Sequence, residues 1–230
     1  MTTGQAPPEA TLTSAAVTRL RRRQAGTPRV RSTYERYLKP CLDRLIALLV
    51  LVLAAPVLVA TALAVLVSLG RPVLYRQTRV GLHGRPFMML KFRTMKPDRR
   101  QTQHPYSGPE RRFTHKTLAD PRHTPIGRCL REYSLDELPQ LWNVLRGDLS
   151  LVGPRPELSL IVEHYEPWQH ARHAVKPGLT GLWQITERGN GLMHEHTEVD
   201  LRYLRTLSLG TDLKILLLTL PAILGMRRGS

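Results

Sequence analysis

Residues 45 to 69, LIALLVLVLAAPVLVATALAVLVSL, contain no charged side chain. As one straight helix this stretch would measure about 37 Å, more than the roughly 30 Å hydrocarbon core of a bilayer. A helix buried in a water-soluble protein seldom runs so far without a polar face. The stretch therefore predicts a segment inserted in a membrane.

Basic residues flank both ends of this stretch, with nine Lys or Arg between Arg19 and Arg44 and nine more between Arg71 and Arg100. Because basic flanks prefer the cytoplasmic side, a single span would carry one of them across the bilayer, whereas a hairpin keeps both inside. Pro56 lies almost at the midpoint and would break the helix into two arms of about 18 Å each. We predict a re-entrant, monotopic helix pair; the alternative is a kinked single span, which transmembrane helices tolerate.

The whole chain has 230 residues and a formal net charge of +16. This length suits one domain with a core, and the charge favours anionic partners: nucleic acid, an acidic lipid surface or phosphorylated substrates. Cys41 and Cys129 are the only cysteines, which excludes a disulfide framework or a zinc site. We predict a disordered basic tail over residues 1–38, the membrane helix pair over 39–70 and a cytosol-facing domain over 71–230.

After the apolar stretch, the β-rich runs PVLYRQ and FMMLKFRT flank a turn with Gly81 and Gly84, which predicts a β-hairpin. Basic side chains on it, including Lys91 and Arg93, suit either phosphate binding or a solvated strand face. Residues 96 to 124 lack periodicity and are interpreted as a long loop.

Two adjacent carboxylates, Asp136 and Glu137, lie among arginines in the sequence REYSLDELPQL. Ser134 and Glu137 match a capping box, and Asp136 as N-cap would instead place Pro139 in the first turn of a helix over 136–146 that ends at Gly147. Either arrangement puts the acids at a helix start, which lowers carboxylate pKa values and suits a metal ligand or a nucleophile. Spacing alone favours capping over catalysis.

Downstream, two prolines in LVGPRPE force an extended backbone that would hold Arg155 outward, where its guanidinium suits phosphate binding. Arg188, in a glycine-rich loop, is a phosphate candidate or simply solvated. We predict a helix over 157–173, a short strand over 182–186 and an interfacial amphipathic helix over 212–226. The His194-x-His196 pair is interpreted as polar surface rather than a metal site.

Four long strings, taken together, resemble the bacterial sugar transferases, which are monotopic phosphoglycosyl transferases that begin glycan assembly on polyprenyl phosphate. The strings are RQTRVGLHGRPFMMLKFRTM, DPRHTPIGRCLREYSLDELPQLWNVLRGDLSLVGPRP, KPGLTGLWQI and DLKILLLTLPAIL. The resemblance runs from about Lys39 to Leu224. It departs at Ala55-Pro56, where the family often has Ser before Pro.

The resemblance implies that an aspartate attacks the β-phosphorus of a UDP-sugar, releasing UMP, and that polyprenyl (undecaprenyl) phosphate then takes the phosphosugar from the enzyme. Asp136 matches that nucleophile and would bind Mg²⁺, with Glu137 assisting proton transfer or orienting the metal. This favours catalysis over capping. The resemblance also implies substrate phosphate binding by Arg131, Arg155 and Arg188 and nucleotide binding by Lys91 and Arg93.

The expected architecture is thus an α+β fold, monotopic in the membrane, with a re-entrant helix-break-helix, a small β-hairpin and a catalytic helix bundle with interfacial helices. The expected location is the cytoplasmic face of the bacterial inner membrane, and a homodimer is one assembly that the sequence allows. No nucleic-acid partner is expected, since no zinc motif, RNA signature or helix-turn-helix pattern is present. The alternatives are a catalytically inactive membrane scaffold of a glycan assembly complex and a membrane-anchored binder of anions or nucleic acid.

Overall fold

The computed structural model describes residues 31–96, 122, 124–186 and 196–223, with side chains as far as 219. Residues 1–30 of the predicted tail, nearly all of the predicted loop over 96–124, Arg188 and His194 lie outside the described residues. Within the described residues, helices surround two small sheets, which confirms the α+β class.

Two helices meet at a sharp bend in the apolar stretch. A π-helical turn, Tyr34–Leu38, leads into α1 (Lys39–Leu53), and α2 (Ala55–Leu69) follows after one residue at an angle of 64°. Pro56 lies in the first turn of α2, where a missing N–H leaves no hydrogen bond unmade. Among the described residues no single helix is long and apolar enough to cross a membrane, whereas this bent pair as a whole has the length and composition for it.

The burial of α1 is inverted relative to a helix of a water-soluble protein. Lys39, Asp43 and Ala47, spaced four residues apart, form the buried face. The exposed face is apolar, with Leu45, Leu48, Leu49, Val52 and Leu53 each more than half exposed. A helix with charges inward and leucines outward is the reverse of the pattern that a water-exposed helix has.

The predicted β-hairpin is confirmed. Strands β1 (Leu74–Val80) and β2 (Pro86–Phe92) pair antiparallel, with Leu74 opposite Phe92. The turn between them is a 3-10 segment, Leu82–Gly84, in which His83 (φ 54°) and Gly84 (φ 75°) adopt left-handed conformations.

The next helices differ from the prediction at their start. Helix α3 (Pro125–Glu132) is capped by Thr124, whose Oγ1 accepts from the Gly127 N–H at 3.1 Å. A 3-10 turn, Leu135–Glu137, follows, and α4 (Gln140–Arg146) begins only after Pro139. The predicted helix over 136–146 therefore starts too early, although its end at Gly147 is confirmed.

The rest of the chain alternates short elements. They are β3 (Ser150–Val152), α5 (Ser159–Val162), a 3-10 segment (Gln169–Ala174), β4 (Gly178–Thr180), α6 (Leu182–Thr186), α7 (Thr197–Thr206) and α8 (Leu209–Ile223). β3 and β4 pair in parallel. The predicted helix over 157–173 is wrong because Pro167 cannot continue it and disfavours helix at the residue before it. The predicted strand over 182–186 is wrong: this short apolar run is helical, and its periodicity does not separate the two states.

Two hydrophobic clusters fix the position of the central elements. The larger joins α1, α4, β3, α7 and α8 through residues such as Ala47, Leu141, Leu151, Leu201 and Ile215. The smaller joins α2, β2 and α3 through Val65, Phe92 and Leu130. The segment between α3 and α4 therefore spans the seam between the two clusters.

Candidate active site

The 3-10 turn Leu135–Glu137 is held by apolar anchors on both sides. Leu135 packs on the smaller cluster and Leu138 on the larger one. Ser134 is left-handed (φ 56°) and makes no capping bond with its side chain. Both capping predictions are therefore wrong, because neither Ser134 nor Asp136 occupies the N-cap of α4, and the two acids are free for other contacts.

Glu137 receives two cations on one carboxylate oxygen. Lys91 Nζ, from β2, lies 2.7 Å from Glu137 Oε1, and Arg155 Nη2 lies 2.6 Å from the same atom. All three side chains are well shielded from solvent, with 17 to 31% of each exposed. The structure thus brings together three predicted site residues from elements far apart in sequence.

The contacts among Lys91, Glu137 and Arg155 shift the pKa of each of the three groups. Burial disfavours the Glu137 carboxylate, but Arg155 and Lys91 outweigh it and hold the pKa of Glu137 well below its usual range. Glu137 raises the pKa of Arg155, while burial and the neighbouring Arg155 lower the pKa of Lys91. Glu137 is therefore a permanent carboxylate near neutral pH, better suited to orienting cations than to accepting a proton.

Asp136 differs from its neighbour. It is 8% exposed, and within the described parts of the chain its carboxylate makes no hydrogen bond or ion pair. Burial, followed by the adjacent Glu137, raises the pKa of Asp136 against the pull of Lys91, Arg155 and Arg131. The expectation that a helix start would lower this pKa is wrong, because desolvation dominates and no helix begins at Asp136.

The other predicted cations are placed differently. Arg131 Nη1 donates to Thr94 Oγ1 at 3.0 Å, and its charge is close enough to act on Asp136. Arg93 instead donates to the carbonyl of the last residue of α2, Leu69, and to the two carbonyls after it, Gly70 (2.7 Å) and Arg71 (3.1 Å). Arg93 therefore secures the exit of the helix pair, and its nucleotide-binding role stays a prediction.

Asn143 supports the site and was not predicted from the sequence. Asn143, fully buried in α4, donates from Nδ2 to the Met88 carbonyl at 2.8 Å and accepts from the Leu90 N–H at 3.1 Å. Its amide extends the ladder of β2 on the free edge and fixes the strand next to Lys91. The available signal was a pair of amides, Gln140 and Asn143, three residues apart on the same face of the helix.

The donor set suits magnesium bound jointly with a substrate. Across the described residues no group of three or more His, Cys, Asp or Glu side chains could hold a metal ion. Mg²⁺, however, commonly binds through one or two carboxylates plus substrate phosphates. The buried and otherwise uncommitted carboxylate of Asp136 fits that mode.

Comparison with known proteins places this site in a family. The family model described as "Bacterial sugar transferase" matches residues 34–226. The chain belongs to the bacterial sugar transferase family. The match covers the bent helix pair and every element that contributes to the site, and it confirms the family resemblance seen in the sequence.

Individual members of the bacterial sugar transferase family are also similar. The chain is 43% identical over 199 residues to the UDP-glucose:undecaprenyl-phosphate glucose-1-phosphate transferase of Caulobacter vibrioides, which covers 81% of this chain and 69% of that protein. The protein of the same name from Escherichia coli is 42% identical, covering 82% of this chain and 40% of its own length. The undecaprenyl-phosphate galactose phosphotransferase of Salmonella typhimurium is 36% identical, covering 82% and 41%.

Proposed function

We propose that the protein transfers a sugar-1-phosphate from a UDP-sugar to polyprenyl phosphate, undecaprenyl phosphate in bacteria, with release of UMP. This step would begin exopolysaccharide or glycoconjugate synthesis. The names of the relatives support the reaction class and point to glucose or galactose as the first sugars to test.

The observation that carries the proposal is the contrast between the two acids. Glu137 binds both Lys91 and Arg155 through Oε1, whereas the carboxylate of Asp136 beside it is buried, makes no hydrogen bond or ion pair within the described residues and lies close to three cations. Such an arrangement suits a carboxylate nucleophile that attacks a phosphorus atom whose surrounding oxygens are neutralised by arginine and lysine.

In the first proposed step, an Asp136 carboxylate oxygen forms a bond to the β-phosphorus and the bond from that phosphorus to the UMP oxygen breaks. A phosphoryl-sugar is then covalently attached to Asp136. In the second step, a phosphate oxygen of the polyprenyl acceptor attacks the same phosphorus and the Asp136 carboxylate is regenerated. Lys91, Arg131 and Arg155 would offset the charge on the transferring group.

Asp136 and the diphosphate oxygens of the donor would hold Mg²⁺. When bound there, the ion supplies charge neutralisation for the diphosphate and the leaving UMP. Glu137 would keep Lys91 and Arg155 oriented toward the same space.

The anchor supports a membrane-bound acceptor. The apolar outer face of α1 continues on α2, where Val59, Leu63 and Val67 are each more than half exposed. We propose that the bent pair enters the cytoplasmic face of the inner membrane and returns. A catalytic turn fixed at that surface would meet a lipid phosphate in a positioned encounter rather than by free diffusion.

The deciding experiment measures UMP release by detergent-purified protein with Mg²⁺ and undecaprenyl phosphate across UDP-glucose, UDP-galactose and their N-acetylated counterparts. Asp136→Asn serves as the test variant and Arg146→Gln, on the exposed side of α4, as the matched control. Release that depends on one sugar, the lipid and Asp136 supports the proposal. No release from a folded sample with any donor would favour the inactive scaffold.

A further inference from the structure

We propose that Arg172 is a positioning residue for the reaction: it holds the backbone of Arg155 and thereby aims the Arg155 guanidinium at the site. The inference rests on the proposed function, since it assigns Arg155 to the substrate phosphates. Arg172 lies in the 3-10 segment Gln169–Ala174 and was not among the residues predicted from the sequence.

The Arg172 guanidinium is buried, and its contacts are with groups inside the protein. Its residue surface is 2% exposed, and Nη2 lies 2.6 Å from Asp200 Oδ2 on α7. The same Nη2 donates to the Arg155 carbonyl oxygen at 2.8 Å, and Nη1 donates to the Tyr165 hydroxyl. A guanidinium enclosed in this way cannot touch substrate, so any effect on the reaction passes through Arg155.

The segment that carries Arg155 has no regular structure, yet three consecutive carbonyls in it each have a donor. The Arg155 carbonyl accepts from Arg172 Nη2. The Pro156 carbonyl accepts from Arg79 Nη1 at 3.2 Å, and the Glu157 carbonyl accepts from the Val80 N–H at 2.9 Å. The buried Arg172, the partly buried Arg79 and one strand therefore replace the hydrogen bonds that a helix or sheet would supply.

The geometry of the arginine side chain suits it to holding this backbone segment. Pro154 and Pro156 lack N–H groups, so the local backbone cannot close its own hydrogen bonds. A buried ion pair such as Arg172 with Asp200 is seldom the most stable choice, because apolar side chains of similar volume often stabilise a core as well. The planar fork of arginine, in contrast, joins two partners in fixed geometry, here a carboxylate and a carbonyl.

The expected consequence follows from the position of Arg155. Its Nη2 must remain near Glu137 Oε1, now at 2.6 Å, to face the same space as Asp136 and Lys91. A misplacement of about 1 Å at a catalytic group costs roughly 10²-fold in rate. Loss of the Arg172 donor should therefore reduce donor use without removing any group that touches substrate.

The test uses full-length protein in nanodiscs and compares Arg172→Met, Arg172→Lys, Arg155→Ala and the double variant Arg172→Met/Arg155→Ala. Arg172→Met should lose roughly 10 to 100-fold in kcat/KM for the UDP-sugar. Arg172→Lys, which keeps a charge for Asp200, should recover part of the loss. In the double variant the loss should not exceed that of Arg155→Ala alone, since the two residues act as one unit. Losses that multiply would overturn the inference.

Tyr165→Phe is the matched control, because it removes another partner of the same guanidinium while the Arg155 carbonyl keeps its donor. Its activity should stay near that of the wild type. If Arg172→Met fails to fold, Arg172→Lys against Tyr165→Phe still separates the roles: equal activity of these two variants would contradict positioning.

A second measurement does not need activity. The guanidinium ¹⁵N–¹H signals of Arg155, recorded without substrate, should shift in Arg172→Met and less in Arg172→Lys, because the Arg155 carbonyl loses its donor, and should stay near their wild-type positions in Tyr165→Phe. Unchanged Arg155 signals in Arg172→Met would overturn the inference. Absence of UMP release by the wild type would instead contradict the proposed function and leave this readout valid.

Discussion

Lys39 and Asp212 form a buried ion pair, with 2.6 Å between Nζ and Oδ2, that joins the start of α1 to α8. Tyr34 donates to the same Asp212 oxygen at 2.7 Å, and Tyr203 donates to the other at 2.8 Å. The helix pair is therefore fastened to the body by polar contacts on its inner face while its outer face stays apolar. These contacts fix the start of the helix pair relative to α7 and α8.

Removal of Lys39 should strongly destabilise the fold. Lys39→Met leaves the Asp212 charge buried without its cation, and breaking a buried pair in this way costs about 3–5 kcal/mol. Thermal unfolding of detergent-purified protein measures the change. Arg146→Met is the control, because the Arg146–Asp148 pair is exposed (3.5 Å; Arg146 side chain 59% exposed) and should contribute under about 1 kcal/mol. Equal effects of the two variants would show that the Lys39 pair does not secure the anchor.

Asp136→Asn should abolish turnover, by on the order of 10⁴-fold or more as for other nucleophiles, while stabilising the metal-free protein at pH 7 to 8. The expected gain in stability follows from the raised pKa of Asp136. A group with a raised folded-state pKa contributes stability when protonated, and that contribution is lost as the pH rises through the folded pKa. Because asparagine is uncharged at every pH, the variant does not lose stability in this way.

The check on Asp136→Asn is thermal unfolding in EDTA at several pH values. The stability advantage of the variant should be largest near pH 8 and shrink below about pH 4, where Asp136 is protonated even in the unfolded chain. Mg²⁺ added together with a UDP-sugar should raise the melting temperature of the wild type more than that of the variant. An advantage that is independent of pH would mean that the Asp136 charge is not the cause.

The sequence predicted those features that depend on local patterning. The helix break near Pro56, the hairpin with Gly81 and Gly84, and the helix end at Gly147 were confirmed because each rests on a short-range rule. The conformation of Ser134 could not be predicted in this way. Its left-handed backbone is set by Leu135 and Leu138 packing on separate clusters, so a capping box that fits the local spacing did not form.

The grouping of the charges was predictable only in part. Lys91, Glu137 and Arg155 were all named from the sequence, yet their convergence on one oxygen requires the tertiary fold. Arg93 and Arg172 are residues whose roles could not be predicted from the sequence. Both are arginines in a basic chain, and only the contacts show that Arg93 binds the carbonyls after α2 and Arg172 the carbonyl of Arg155.

Arg93→Gln should weaken the junction between anchor and hairpin rather than donor binding. The variant removes donors from carbonyls at Leu69, Gly70 and Arg71, each loss costing about 1–3 kcal/mol where the carbonyl stays buried. We expect a lower melting temperature with the KM for the UDP-sugar within about twofold of wild type. A large rise in KM at unchanged stability would instead support the nucleotide-binding role predicted for Arg93.

Pro56 should determine how readily the anchor straightens. Pro56→Ala removes the residue that ends the first arm and gives Ala54 and Ala55 a helix-favouring neighbour, which lowers the cost of one continuous helix. A straight span would carry the segment around Thr33 across the bilayer, but the buried Lys39–Asp212 pair opposes that movement. Pro56→Ala alone should therefore keep the re-entrant topology in most molecules, and Pro56→Ala/Lys39→Met should lose it in a larger fraction.

The topology is measured with Thr33→Cys in a background free of Cys41 and Cys129, by an impermeant thiol reagent added to intact spheroplasts. Arg146→Cys, on the body of the protein, is the cytoplasmic control and should stay unlabelled in every variant. Position 33 should be protected in the wild type, since a re-entrant pair returns both basic flanks to the cytoplasm. Labelling of position 33 in the wild type would establish a single span. In that case the helix pair would have straightened in the membrane, and Lys39 would no longer contact Asp212.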